Sequence, residues 1–218
     1  LRRLAREPWL DRFGRTVVPE EHFNLGGKTK WYGAALLRFA PGEFDADASH
    51  QCRGWPIAYD ELEPFYEEAE NLLGVRRFPM EADMRRLAEG LQRQDPLWQT
   101  QPMPLGLSAD ILNHPYEAAH FDAYASVLGL KADAENRFLD RVRDRSNLQI
   151  LTGRQVTHLL PDAGKPTRIS GVVCDDGSRF EAGAVLLAAG ALHSPRLLQT
   201  YMESTGLSHR LPAYRQVG

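Results

Sequence analysis

The chain has 218 residues, enough for one generous domain or two small ones sharing a core. Its 43% hydrophobic and 25% charged residues exclude collagen-like and disordered classes, and a net charge of -3 gives no electrostatic reason to expect nucleic acid or an anionic membrane as partner. No apolar run approaches the ~20 residues of a spanning helix, and Cys52 and Cys174, far apart and outside any CxxC or Cys/His ligand spacing, write neither a disulfide framework nor a zinc site.

Reduced thiols in a cytoplasmic setting are therefore expected. The chain opens Leu1-Arg2-Arg3-Leu4 without an initiator Met or an apolar signal region, as expected of a piece of a longer protein. Residues 1–24 mix charge with scattered aromatics (Trp9, Phe13, His22, Phe23) at no single period and predict an irregular opening segment. From Asn24 to Phe39, three glycines (Gly26, Gly27, Gly33) and two alanines (Ala34, Ala35) stand in an otherwise apolar stretch. Small residues this dense bring something large close to the backbone. At Gly26-Gly27 the residues leave two readings open: a turn, or backbone donors meeting a flat cofactor.

Gly54 to Asp60 leads into the clearest helix, about 60–73. Asp60, Glu61 and Glu63 complement its positive end, Pro64 falls in the tolerant first turn, and Gly74 closes it. A second helix is predicted over 80–93. Pro96, Pro102, Pro104 and Pro115 make 95–116 an extended surface or cleft-lining connection, and 131–145 reads as a third helix. Beyond Asn147 the period changes to short β-type runs at 148–152, 155–160, 168–174 and 184–189, with turn clusters at Asp162-Ala163-Gly164 and Asp175-Asp176-Gly177. The last run is apolar on both faces, as a buried parallel strand is, and Ser194 as N-cap with Pro195 behind it predicts a helix. Its turn, Ala188 to Ala191, either packs tightly or turns backbone amides toward a phosphate.

The remaining polar features have plain readings. Glu67, Glu68 and Glu70 fall on the solvated side of the first helix, and Arg137, Arg141, Arg143 and Arg145 alternate with Asp140 and Asp144 in a pattern that ion pairing along a helix explains. None of His22, His50, His114, His120, His158, His193 and His209 stands at a spacing that writes a nucleophile and base or a ligand pair. No catalytic or metal-ligating residue is assigned. Trp31 and Tyr32 either pack in the core or line a pocket.

Three stretches, Asn24 to Phe39, Gly54 to Tyr66 and Val185 to Leu198, together resemble the glucose-methanol-choline (GMC) flavoprotein oxidoreductases, in that family's order, and are most similar to its choline-dehydrogenase-like bacterial branch. The resemblance extends over most of the chain, including Gly129 to Glu135. It implies an α+β chain of the α/β FAD-binding type. That is a partial FAD/NAD(P)-binding fold with a β-meander and a βα unit, plus part of a substrate domain. Residues 1–49 would carry the flavin-contacting Gly-Gly motif, 50–145 a mostly helical substrate-side region, and 146–218 a β-rich FAD-domain region.

Carried over by position, Gly26, Gly27, Lys28 and Thr29 would follow the FAD diphosphate and flavin edge. Trp31, Tyr32, Gly33 and Ala34 would lie near the isoalloxazine. Val156 would offer its backbone to the adenine, and Ala189 and Gly190 would pass beneath the pyrophosphate and ribose with His193 and Ser194 adjoining. Some relatives attach flavin through a His where Trp31 stands here, so non-covalent FAD is expected. The family's Gly-x-Gly-x-x-Gly unit and its catalytic His segment have no counterpart in these 218 residues. The expectation is the central part of an FAD-dependent oxidoreductase acting on CH-OH groups of small alcohols or sugars. By itself the chain would bind FAD weakly, turn over nothing and self-associate through its exposed flavin side. The rival is a non-catalytic binding module derived from the same fold; an NAD-dependent dehydrogenase would need the missing fingerprint.

Overall fold

The computed structural model describes residues 3–4, 8–19, 21–122 and 124–217. It divides into two compact units, Leu1–Leu148 and Gln149–Gly218.

In the first unit, strand β1 (Arg3–Leu4) pairs antiparallel with β4 (His22–Phe23), and between them in sequence β2 (Trp9–Leu10) pairs with β3 (Thr16–Val17). The opening segment is thus more ordered than its sequence suggests. Its turn is made locally: the Asp11 carboxylate accepts the Phe13 and Arg15 amides at 2.8 and 2.9 Å, and Gly14 takes the left-handed φ of +75°. Two-residue ladders are too short to leave a hydrophobic period.

Helix α1 runs Tyr59–Leu73. Glu61 accepts the Ala58 amide at 3.0 Å, and Gly74 ends the helix at φ +67°. Because the helix begins at Tyr59, Pro64 is its sixth residue and lies past the first turn, so the Asp60 carbonyl receives no amide from it. Helix α2 spans Ala82–Gln94. Beyond it the proline-punctuated segment lies on the surface through Met103, with Leu97 88% exposed, and turns into the interior from Pro104. Strand β5 (Arg76–Arg77) pairs with β6 (Pro104–Leu105), a 3-10 turn covers Ala109–Asn113, and Leu107 and Ile111 are buried in the core with Ala34 and Leu130. The segment reaches the interior because its backbone is paired on both sides. Leu36 donates to Pro104 O at 3.0 Å, Gly106 to Ala34 O at 2.8 Å, Ala132 to Gly106 O at 2.8 Å and Ser108 to Leu130 O at 2.7 Å.

After α3 (Pro115–His120), the helix expected over 131–145 shrinks to a π-turn, Glu135–Leu139, running into the short α4 (Asp140–Val142). Lys131 and Ala132 belong to the ladder just described. Asp133 then caps the turn, accepting the Glu135 and Asn136 amides at 2.8 and 2.9 Å.

In the second unit β7 (Val156–Asp162), β8 (Lys165–Cys174) and β9 (Arg179–Glu181) form an antiparallel meander in that order, turning at Gly164 and Gly177, both with positive φ. Helix α5 (Gly190–Ser204) packs on it through Leu159, Leu197, Tyr201 and Met202, and the Tyr201 hydroxyl donates to Pro166 O at 2.8 Å. Residues 148–152 and 184–189 are not strands, and Leu186 is 95% exposed. A run apolar on both faces becomes a strand only where neighbours take its backbone groups, and among the described residues no strand pairs with either run.

Candidate cofactor-contacting segments

The Gly-Gly motif is a bend into a 3-10 turn. Gly26 caps it at φ +82°, Gly27–Lys30 form it, and Gly27 itself sits at φ +52°. A methyl group added at Gly27 would meet no atom within 4 Å, so bare backbone borders open space there. Lys28 is exposed. The Thr29 hydroxyl is committed internally: it donates to Gly26 O at 2.5 Å and accepts the Ala134 amide at 3.0 Å. What this segment can offer a ligand is therefore its backbone rather than that hydroxyl.

Lys30 reaches Asp133 and Glu135, each at 2.9 Å. Burial pushes its ammonium down, but the two carboxylate hydrogen bonds outweigh this and hold it above its ordinary value, while the Lys30 hydrogen bond keeps the Glu135 carboxyl low. Trp31 stacks on His22, with centroids 4.3 Å apart and planes 17° from parallel. Tyr32 is half-buried and donates its hydroxyl to Ala132 O at 2.8 Å; burial raises its phenol. Gly33 lies so close to Asp122 that an added methyl would stand 2.7 Å from its carboxylate oxygen. Ala34 is fully buried at φ +59°, a conformation rare for a residue with a side chain.

In the second unit Val156 opens β7 opposite Cys174. Ala189 caps α5, and Gly190, at φ +83°, again borders open space where a methyl would stand. The expected helix start needs correction. The helix begins at Gly190, four residues before Ser194, so Ser194 is no N-cap; its hydroxyl instead accepts the Ala189 amide at 2.9 Å from inside the first turns. Pro195 is consequently the sixth helical residue. His193 and Ser194 are half-buried.

Gly26, Gly27, Lys28, Thr29, Trp31, Tyr32, Gly33 and Ala34 thus lie together in the first unit, and Val156, Ala189, Gly190, His193 and Ser194 in the second. At both glycine sites the chemistry suits a flat phosphorylated cofactor: open backbone with positive φ, one of the two at the first turn of a 15-residue helix whose dipole favours an anion. Among the described residues no group of three His, Cys, Asp or Glu is placed to hold a metal. Nor does the Ser49, His50 and Asp47 cluster form a relay, since Ser49 Oγ and Asp47 Oδ2 both face the same nitrogen, His50 Nδ1, at 3.0 and 2.6 Å.

The model of one family, described as GMC oxidoreductase, matches residues 24–206, a span that runs from the Gly-Gly motif through α5. The chain belongs to the GMC oxidoreductase family. Among curated relatives of this GMC chain, the paromamine 6'-oxidase of Streptomyces fradiae is 28% identical over 197 residues, covering 80% of the chain and 36% of that protein. The fructose dehydrogenase large subunit of Gluconobacter japonicus is 34% identical over 83 residues, 38% of the chain and 14% of that protein. The oxygen-dependent choline dehydrogenase of Ectopseudomonas mendocina is 33% identical over 81 residues, 36% of the chain and 14% of that protein. The GMC chain spans little more than a third of the length of even the relatives it matches most fully.

Two parts of this GMC chain were not legible as contributors. Glu70, read as a solvated acid, is clasped by Arg38 through two 2.8 Å hydrogen bonds that keep its carboxyl low, and Arg38 also covers the Tyr66 ring. Lys131, read as the start of a helix, is 1% exposed and donates to the Tyr32 carbonyl. The signal for it was a Lys-Ala-Asp triplet directly after an apolar Leu, too short to separate a core ladder from a helix start.

Proposed function

We propose that this chain is the central part of an FAD-dependent oxidoreductase acting on CH-OH groups of small alcohols or sugars. The observation that carries the reading is the match of residues 24–206 to the GMC family, a stretch in which Gly27 and Gly190 present open backbone at positive φ. Relatives named for paromamine, fructose and choline, hydroxylated small molecules, support the substrate class.

Gly26 and Gly27 would let the cofactor approach the bare backbone, the Gly27 amide itself being taken by Asn24 O at 2.9 Å, with Lys28 offering one exposed ammonium. The α5 N-terminus at Gly190 would face its phosphates beside Ala189. Trp31, Tyr32, Gly33 and Ala34 would border the ring system, with Val156 toward the adenine. When bound, FAD supplies the acceptor for the hydride that leaves the carbinol carbon. Trp31 has no nitrogen that forms the family's covalent flavin link, so attachment is non-covalent. Among this chain's residues none is assigned the base that takes the hydroxyl proton.

The test has two arms. The isolated 218-residue chain should purify nearly colourless and inactive, whereas the full-length product of its gene should carry one FAD and oxidise members of a panel of small alcohols and sugars. A stoichiometric flavin spectrum on the isolated chain would overturn the assignment of this chain as an incomplete site. Absence of flavin from the full-length product would overturn the activity.

A further inference from the structure

We infer that Lys131 is a positioning residue for the flavin-facing segment: its ammonium fixes the Tyr32–Ala34 backbone, and flavin affinity depends on it. The inference rests on the proposed function, in which that segment borders the ring system.

Lys131 is the largest side chain sealed almost completely from solvent, at 1% exposure. An ammonium has three N–H donors, and all three here end on main-chain carbonyls: Tyr32 O at 2.7 Å, Phe121 O at 2.6 Å and Tyr124 O at 2.5 Å. No carboxylate shares the site by direct contact; Asp122, Asp133 and Glu117 act on the charge only through space. The lysine is therefore not half of an ion pair. Burying an ammonium is costly, and this one is held by carbonyls from two separate stretches of chain that it draws to a single point.

What it draws in is the segment's exit. The Tyr32 carbonyl directly precedes Gly33 and Ala34, where the backbone turns into the left-handed region at Ala34 and then enters the ladder through Gly106 N–H to Ala34 O. The Tyr32 ring stands 5.4 Å from the ammonium, and its hydroxyl is tied to Ala132, the neighbour of Lys131. At the segment's other end Lys30 is pinned by Asp133 and Glu135. Lys30 reaching Asp133 and Glu135, and Lys131 reaching the Tyr32 carbonyl, thus tie Trp31 to Ala34 at both ends to the same 131–135 stretch. Lys131 Nζ has no donor left and is shut away from solvent, which suits a role through the Tyr32 backbone rather than direct contact with a ligand.

The test uses the full-length gene product and Lys131→Met, which keeps an unbranched side chain one atom shorter and removes its donors. Apoprotein titrated with FAD should show about tenfold weaker binding in the variant. The visible circular dichroism of the bound flavin should change, and amide exchange in residues 31–34 should quicken while that of residues 156–174 stays as in wild type. Should Lys131→Met fail to fold, Tyr32→Phe removes only the hydroxyl bond to Ala132 and should shift affinity and dichroism in the same direction to a smaller extent. Wild-type affinity and dichroism in whichever variants fold would overturn the inference while leaving the flavin assignment standing. A wild-type protein that binds no FAD would overturn both.

Discussion

Gly171→Ala is expected to lower the stability of the β-meander unit by about 3 kcal/mol, read as a fall in the urea midpoint followed by far-ultraviolet circular dichroism. Gly171 lies in β8 between Leu160 on one neighbour and Glu181 on the other. A methyl group there would stand 2.2 Å from Phe180 O and 3.1 Å from Glu181 Cα. These are main-chain atoms, so no side chain can rotate away. The added methyl must push β9 off β8 or shift its register, breaking the Gly171 to Glu181 and Val172 to Phe180 pairings. Val172, the next residue of β8, packs against the cluster of Leu159, Leu197 and Tyr201, so the damage reaches the core on which α5 rests. Gly183→Ala serves as the control, because a methyl there meets nothing within 4 Å. Equal midpoints for the two variants would refute the close approach.

Lys131→Met should cost the first unit about 2–3 kcal/mol at neutral pH, separately from any effect on flavin. Two terms oppose each other. Removing the charge relieves its desolvation, but three carbonyls in a dry site lose their donors at once, each worth about 1 kcal/mol or more, and the loss prevails. The pH dependence has a definite sign. Burial lowers the Lys131 ammonium below its ordinary 10.5, so between the lowered value and 10.5 the unfolded chain holds a proton that the folded chain has released. Stability from this group therefore rises with pH across that window. The wild type's advantage over Lys131→Met is smallest below the window and widens through it. Denaturation midpoints for both proteins from neutral to alkaline pH check this; an advantage that shrank with rising pH would mean the lysine is held as a favoured cation.

Much of the local architecture is written in short-range chemistry. The acids before α1 and the glycine behind it, or the Asp-Ala-Gly and Asp-Asp-Gly turns of the meander, act within four residues, and the structure places helix α1 and strands β7 and β8 where those signals put them. The misread elements depend on distant partners. The 95–116 segment carries four prolines, which locally favour an extended chain, yet from Pro104 to Ser108 its backbone completes a ladder between residues 34–36 and 130–132 that no local window contains. Lys131 and Asp133 look like helix residues until that ladder claims the first and the cap claims the second. The apolar run at 184–189 has a strand's composition, but pairing is a property of neighbours rather than of composition. Of the candidate segments, the glycine-rich stretches were visible in the sequence because their composition is a local feature. The lysines that fasten the first of them were not, because their partners stand elsewhere in the sequence: the Asp133 and Glu135 carboxylates for Lys30, and the carbonyls of Tyr32, Phe121 and Tyr124 for Lys131.

The two glycine segments lie in different units, and the functional reading assigns FAD contacts to each of them. Amide hydrogen exchange on the full-length gene product, measured across a titration with FAD, tests this directly. Peptides covering residues 24–34 and 186–194 are expected to gain protection together, with the same half-saturating concentration. Protection confined to one of them, or to neither while flavin is bound, would contradict it.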